Sequence, residues 1–166
     1  DADQNALDRV HARIGKDTRV KFALGNFRNI DTFVEQAGLS HVDKIVLDLG
    51  LSSDQLEQSG GRGFSFMVDE PLTMTFTLAP EKGSLTAWHV VNEWSEESLS
   101  DIIFGFGGDH KAKRIAQAIC EAREEKSIET SKELADIVEQ VVSKRSGVHP
   151  ATKTFQAIRI AVNDEL

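Results

Sequence analysis

At 166 residues, with 40% hydrophobic and 28% charged positions, the chain has the length and make-up of one ordinary globular domain, or of one domain carrying a modest insertion. Its formal net charge of −8 has the wrong sign for a protein held to nucleic acid by its overall field, so any RNA contact must be local. No apolar run approaches the roughly 20 residues that span a bilayer and no signal-peptide pattern opens the chain, so a soluble protein without membrane contact is expected.

In chain order, Ala6, Leu7, Val10 and Ile14 stand at helical spacing over residues 3–14, and Val20, Phe22 and Leu24 then alternate with polar neighbours over residues 19–24. That is a helix followed by a strand. Ile30, Phe33, Val34 and Ala37 repeat the helical spacing, with Gly38 suited to ending that helix. Lys44 to Leu49 read as a short strand apolar on both faces, as in a parallel sheet covered by helices. Asp48 stands at the carboxyl end of that strand, where open α/β sheets bind ligands, and a charge there needs a partner.

From Leu51 to Pro80 the periodicity stops, and Phe64, Phe66, Met67, Leu72 and Met74 predict a long but ordered and packed loop. Beyond Pro80 the pattern is helical throughout. Ser95 caps a helix carrying Leu99, Ile102 and Ile103, and Ala112, Ile115, Ala116 and Ile119 share one face over residues 110–125. Thr130 and Glu133 form a capping box ahead of Leu134, Ile137, Val138 and Val141. Gly147 and Pro150 interrupt, and Thr154 to Leu166 begin another amphipathic helix expected to run uncapped to the last residue. Strands and helices alternating, then helices alone, predict an α/β layered domain joined to an all-α subdomain.

Cys120 is the only cysteine, which rules out an internal disulfide, and a cytoplasmic location is expected. The histidines at 11, 41, 89, 110 and 149 show no metal-site spacing, and no metal is expected. Residues 143–159 hold Lys144, Arg145, Lys153 and Arg159 with no acidic residue, which makes either a local RNA-facing patch or a solvated helix face. The chain opens on Asp1 with no glycine-rich turn before it, although such a turn lies about 20 residues ahead of the acidic residue that follows the second strand of a doubly wound sheet. Both ends are therefore expected to be cut.

Five stretches carry more specific information: Asp1 to Ala6, Gly25-Asn-Phe27, Leu47-Asp-Leu-Gly-Leu-Ser-Ser-Asp-Gln-Leu56, Arg62-Gly-Phe-Ser-Phe-Met67, and His149-Pro-Ala-Thr-Lys-Thr-Phe-Gln-Ala-Ile-Arg-Ile-Ala-Val-Asn163. In this order they resemble the RsmH (MraW) family of ribosomal RNA cytidine N4-methyltransferases, over essentially the whole chain. The resemblance implies a Rossmann-like, S-adenosylmethionine-dependent methyltransferase fold, present in part, with an inserted all-α subdomain. Residues 1–78 would be the first part of the methyltransferase domain, 79–147 the helical substrate-binding insert, and 148–166 the return. It implies about half of such an enzyme, with little activity expected of this part alone because strand edges stay unpaired.

Carried over by motif position, the resemblance gives Asp1 the cofactor ribose and Phe27 the neighbourhood of the adenine, with Asp48 and Gln55 completing the pocket. A carboxylate suits the first role because it accepts both ribose hydroxyls as charge-assisted hydrogen bonds. Methyl transfer from a sulfonium is an in-line displacement that depends on positioning, and the cytosine amine is a poor nucleophile until acceptors hold its protons out of the ring plane. Asp48, Ser52 and Ser53 are the candidates for orienting that amine. Arg62, Phe64 and Phe66 suit either a loop clamping an unstacked base or a loop folding its own small core, and Lys153 and Arg159 could meet RNA phosphate. His149 before Pro150 is read as capping or orienting that turn.

The chain departs from the family's usual Gly-Pro-Leu-Asp-Met-Arg-Met-Asp run, reading Glu70-Pro-Leu-Thr-Met-Thr-Phe-Thr77, so that Thr73, Thr75 and Thr77 replace two carboxylates and an arginine. Phe106-Gly-Gly-Asp-His110 likewise replaces a Tyr-Gly-Glu-Glu pattern. An inactive RNA-binding remnant of the same fold is thus the alternative to the methyltransferase, and a nicotinamide oxidoreductase is a weaker third reading because it shares the acidic residue after strand two.

Overall fold

The computed structural model describes residues 1–51, 61–77, 80, 82–142 and 147–166. They gather into two compact units, Asp1–Leu49 with Phe76–Ala79, and Gly50–Thr75 with Pro80–Leu166.

In the first unit α1 spans Gln4–Ile14 and starts where Asp3, in extended conformation, accepts the Asn5 N–H at 2.9 Å. A 3₁₀ turn at Phe27–Asn29 leads into α2, Ile30–Gln36, which ends ahead of Gly38 at φ 73. The strands expected at 19–24 and 44–49 do not form, and no β-strand occurs among the described residues. A strand exists only if a neighbour satisfies its N–H and C=O groups, and hydrophobic pattern alone supplies no such neighbour. Ile45, Val46, Leu47 and Leu49 accordingly stand exposed, Val46 at 91%. One remnant of pairing is visible: the Asp1 amino group donates to the Ala23 carbonyl at 3.1 Å, and the Gly25 N–H to the Asp1 carbonyl at 2.9 Å. Bonds to both sides of one residue are the pattern that parallel neighbours make. Among this unit's described residues only Asp3 is buried, so those residues form no apolar core of their own.

The second unit is helical, with α3 at Ala87–Glu93, α4 at Glu96–Gly105, α5 at Ala112–Glu125, α6 at Ser131–Val141 and α7 at Thr152–Asn163. Ser95 caps α4 by accepting the Ser98 N–H at 3.1 Å. Thr130 and Glu133 form the capping box of α6, where the Glu133 carboxylate takes the N–H groups of Glu129 and Thr130 at 2.7 and 3.2 Å. A further box joins Thr86 and His89, whose Nδ1 accepts the Thr86 N–H at 3.2 Å. Helix α4 packs against α5 and α7, and α5 against α6. Their facing sides bury Leu99, Ile103, Ile115, Ile119, Leu134, Val138 and Ile158 completely.

Helix α7 is not uncapped as expected: it stops at Asn163, where Asp164 turns left-handed at φ 52 and the Glu165 N–H returns to the Ile160 carbonyl at 3.3 Å. The Arg159 guanidinium fixes that turn through two bonds to Glu165, at 2.7 and 2.9 Å. The 61–75 segment and α7 share one apolar core with the helices between them, since Leu72 and Met74 are as deeply buried as the helical core.

Two predictions follow from this core. Leu134→Ala should lower unfolding free energy by about 2–5 kcal/mol through lost burial and a cavity, and Thr130→Ala by about 1 kcal/mol through the lost cap. Urea denaturation monitored by circular dichroism checks the ranking, which a larger loss in Thr130→Ala would reverse. The Lys126 ammonium, 2.7 Å from Glu133, holds that carboxyl below its ordinary range, so its stabilisation is complete above the ordinary carboxylate pKa and fades as pH falls through the lowered value. The stability gap between the protein and Glu133→Gln should therefore shrink from pH 7 to pH 3; a constant gap would refute the contribution.

Candidate functional site

In the first unit the sequence places Asp1 and the Gly25–Phe27 turn on one spot. The main-chain bonds of Asp1 to Ala23 and Gly25 bring its backbone alongside the segment that leads into the Phe27 turn. Gly25 is required there: its φ is 149, and a Cβ would collide with the Phe33 ring 2.6 Å away. Asn26 then accepts the Arg28 N–H at 2.9 Å, fixing the 3₁₀ turn that Phe27 begins. The Asp1 Oδ1 accepts the Asp3 N–H at 2.8 Å, which orients the carboxylate at the start of α1 and leaves further acceptor capacity on both oxygens. Phe27 is half-buried. Asp48 lies in the same unit, exposed, within the extended 44–49 segment. Ser52, Ser53 and Gln55 fall outside the described residues.

In the second unit the Arg62–Met67 segment is an anchored loop. Arg62 and Phe64 are each 5% exposed, with the guanidinium 5.1 Å over the Phe64 ring, so both serve the loop's own packing. The Phe66 ring stacks on His149 at 4.1 Å and meets Phe155 edge-on at 5.3 Å, while Met67 stands exposed next to it. His149 orients its turn as expected. Its Nδ1 accepts the Ala151 N–H at 3.2 Å, which puts the ring proton on Nε2, 2.7 Å from Glu139. Of the basic candidates, Arg159 is bound to Glu165, and exposed Lys153 donates to the Gly108 carbonyl at 2.8 Å.

The threonine replacements have a local use. The Thr73 hydroxyl donates to the Arg62 carbonyl at 2.9 Å, and Thr75 is buried. Asn163, the last residue of the long motif, donates through its amide to the Met74 carbonyl at 2.7 Å and ties α7 to the loop. Burial raises the Cys120 thiol above its ordinary value, which counts against a nucleophilic role. No helix among the described residues is long and apolar enough to cross a membrane.

With this geometry in place, residues 1–166 match the sequence profile of the MraW methylase family from end to end. The chain belongs to that family. It is 44% identical over its full length to the ribosomal RNA small subunit methyltransferase H of Clostridioides difficile, covering 53% of that protein. To the same-named protein of Deinococcus deserti it is 46% identical over its full length, again covering 53% of the relative. To that of Methylobacterium nodulans it is 48% identical over 89% of the chain and 43% of the relative. The chain thus spans about half the length of the curated MraW-family relatives it matches.

The sequence reading missed Glu70, Ser131 and Glu139. Glu70 stands a few residues beyond a Gly-Arg-Gly turn, and this was the available signal for an acid serving main-chain amides. Ser131 follows the α6 cap and reaches back, donating its hydroxyl to the Val68 carbonyl at 2.8 Å. Glu139 had no signal, because the His149 partnership joins residues of different elements.

Gly63 tests the loop's anchoring: at φ 71, with the Pro71 carbonyl where a Cβ would stand, Gly63→Ala should cost about 1–3 kcal/mol or more in a urea melt. An unchanged midpoint would show that the loop shifts freely.

Proposed function

We propose that this chain forms a large part of an enzyme that transfers a methyl group from S-adenosylmethionine to N4 of a cytidine in small-subunit ribosomal RNA, in the cytoplasm. The match to the MraW methylase family over residues 1–166 is the observation that carries the reading. The convergence of Asp1 with the Gly25–Phe27 turn supports it. The parallel bonding of Asp1 beside Ala23 and Gly25, and the two-faced aliphatic run at 44–49, are what strands of a Rossmann-like sheet would offer. Residues 79–147 would then be the helical substrate-binding insert.

Bound S-adenosylmethionine would supply an electrophilic methyl carbon on a sulfonium. The residues fit that group: the Asp1 carboxylate has acceptor capacity left for vicinal hydroxyls, and the half-buried Phe27 follows two residues after Gly25, to which Asp1 is bonded. By the family resemblance Asp48 and Gln55 would serve the same cofactor, and Asp48, Ser52 and Ser53 would accept the protons of the acceptor amine and so orient its lone pair. Phe66 and Lys153 face the RNA, supported by Arg62, Phe64 and Arg159 from within the packed loop and helix.

The inactive RNA-binding remnant is the second reading, favoured by one observation: Thr73 and Thr75 are used for packing where the family carries ionisable groups. Calorimetric titration of S-adenosylmethionine into the protein in its full reading frame separates the two. The enzyme requires saturable binding weakened at least about tenfold in Asp48→Ala, equivalent to about 1.4 kcal/mol, and labelled methyl recovered on N4 of cytidine in small-subunit RNA. RNA binding without cofactor binding would establish the remnant.

A further inference from the structure

The Gly61–Gly63 turn is polarised. The N–H groups of Gly61 and Gly63 point to one side, and the Arg62 carbonyl is engaged elsewhere, by the Met74 N–H at 2.6 Å and the Thr73 hydroxyl at 2.9 Å. Both glycines have positive φ, 79 and 71, and successive amides converging in such a turn form a concavity that selects anions. An anion is in place. The Glu70 carboxylate spans the turn, one oxygen taking the Gly61 N–H at 3.3 Å and the other the Gly63 N–H at 2.9 Å. The Arg62 side chain of the same turn is buried, its guanidinium over the Phe64 ring.

Two oxygens of one group, each held by one amide, is also how a phosphate would be gripped. Gly61 is exposed and Gly63 buried, so the turn opens to the surface at its Gly61 end, and the next aromatic after the buried Phe64 is the half-exposed Phe66 on its His149 stack. Glu70 replaces the glycine of the family's usual run, which offers no carboxylate for these amides. We propose that the Gly61–Gly63 turn is an oxyanion site for a phosphodiester of single-stranded RNA, filled in the RNA-free protein by Glu70 as an internal stand-in. That the oxyanion belongs to RNA rests on the function proposed above; the site itself needs only the turn and its amides. Backbone N–H groups carry no base preference, so the site would fix the register of the strand while Phe66 takes a base.

The test is a titration of inorganic phosphate into the 166-residue chain and its Glu70→Ala and Glu70→Gln variants, at constant ionic strength, read from the Gly61 and Gly63 amide resonances. Removing the competing carboxylate should tighten phosphate binding at least about tenfold in Glu70→Ala, and by less in Glu70→Gln, whose amide oxygen is a weaker acceptor. If Glu70→Ala loses its folded spectrum, Glu70→Gln decides, since it keeps the side chain's length. No saturable shift at these two amides in a folded variant overturns the site. A short single-stranded RNA should then displace the phosphate. If phosphate binds and RNA fails to displace it, the RNA assignment falls while the methyltransferase reading, tested through Asp48, is untouched.

Discussion

Met74 holds the second unit together from an unfavourable backbone conformation. It is a non-glycine residue at φ 50, fully buried, with its N–H on the Arg62 carbonyl at 2.6 Å and its carbonyl on the Asn163 amide at 2.7 Å. A left-handed non-glycine residue costs of order 1 kcal/mol or more and persists only where its surroundings over-determine it. Here the side chain fills the helical core while the two main-chain bonds tie the Arg62 turn to one side and the end of α7 to the other. Leu72, two residues earlier and equally buried, is likewise held from both sides, accepting the Trp88 N–H at 2.7 Å and donating to the Glu129 carbonyl at 3.0 Å. Everything the loop presents to a ligand inherits its position from these two residues.

The long terminal motif makes physical sense in the same terms. Between His149 and Asn163, alternate positions serve the core and the loop: Phe155 packs on Phe66, Lys153 and Gln156 hold the carbonyls of Gly108 and Phe106, and Asn163 holds Met74. Gly107 lets the α4–α5 turn approach α7 closely, because a Cβ there would lie 2.5 Å from the Lys153 carbonyl. The motif is therefore a clamp on two loops. Its basic residues answer to that geometry first: Arg159 is paired with Glu165, six residues on, at the turn that ends α7.

What could be read from sequence divides along one physical line. Helices α4, α5 and α6 and their caps were legible because a helix satisfies its own backbone, and Ser95, Thr130 and Glu133 do within four residues what the pattern says they should. The strands at 19–24 and 44–49 were legible only as hydrophobic pattern. Their realisation depends on partners distant in sequence, and Val46 at 91% exposure shows the pattern without the pairing. The candidate site belongs with the strands in this respect. Asp1 lies beside Gly25 through bonds between residues more than twenty positions apart, and Glu70 on its amides and Glu139 on His149 are likewise products of tertiary placement.

The charge balance also changes meaning once partners are known. A chain of net charge −8 needs its acids placed where they do not repel a polyanion, and several are spent internally: Glu133 on the α6 cap, Glu165 on Arg159, Glu139 on His149 and Glu70 on glycine amides. Lys126 and Arg159 offset the charges of Glu133 and Glu165, whereas Glu139 on an imidazole and Glu70 on amides keep their charge and are fixed in place by it. The case of Glu70 is the most economical, since it puts the negative charge directly on donors that a polyanion would otherwise use. Acidic composition and the proposed local RNA contact are compatible on these terms, because a strand of RNA would be gripped by the donors at its own contact and not by the sum over the sequence.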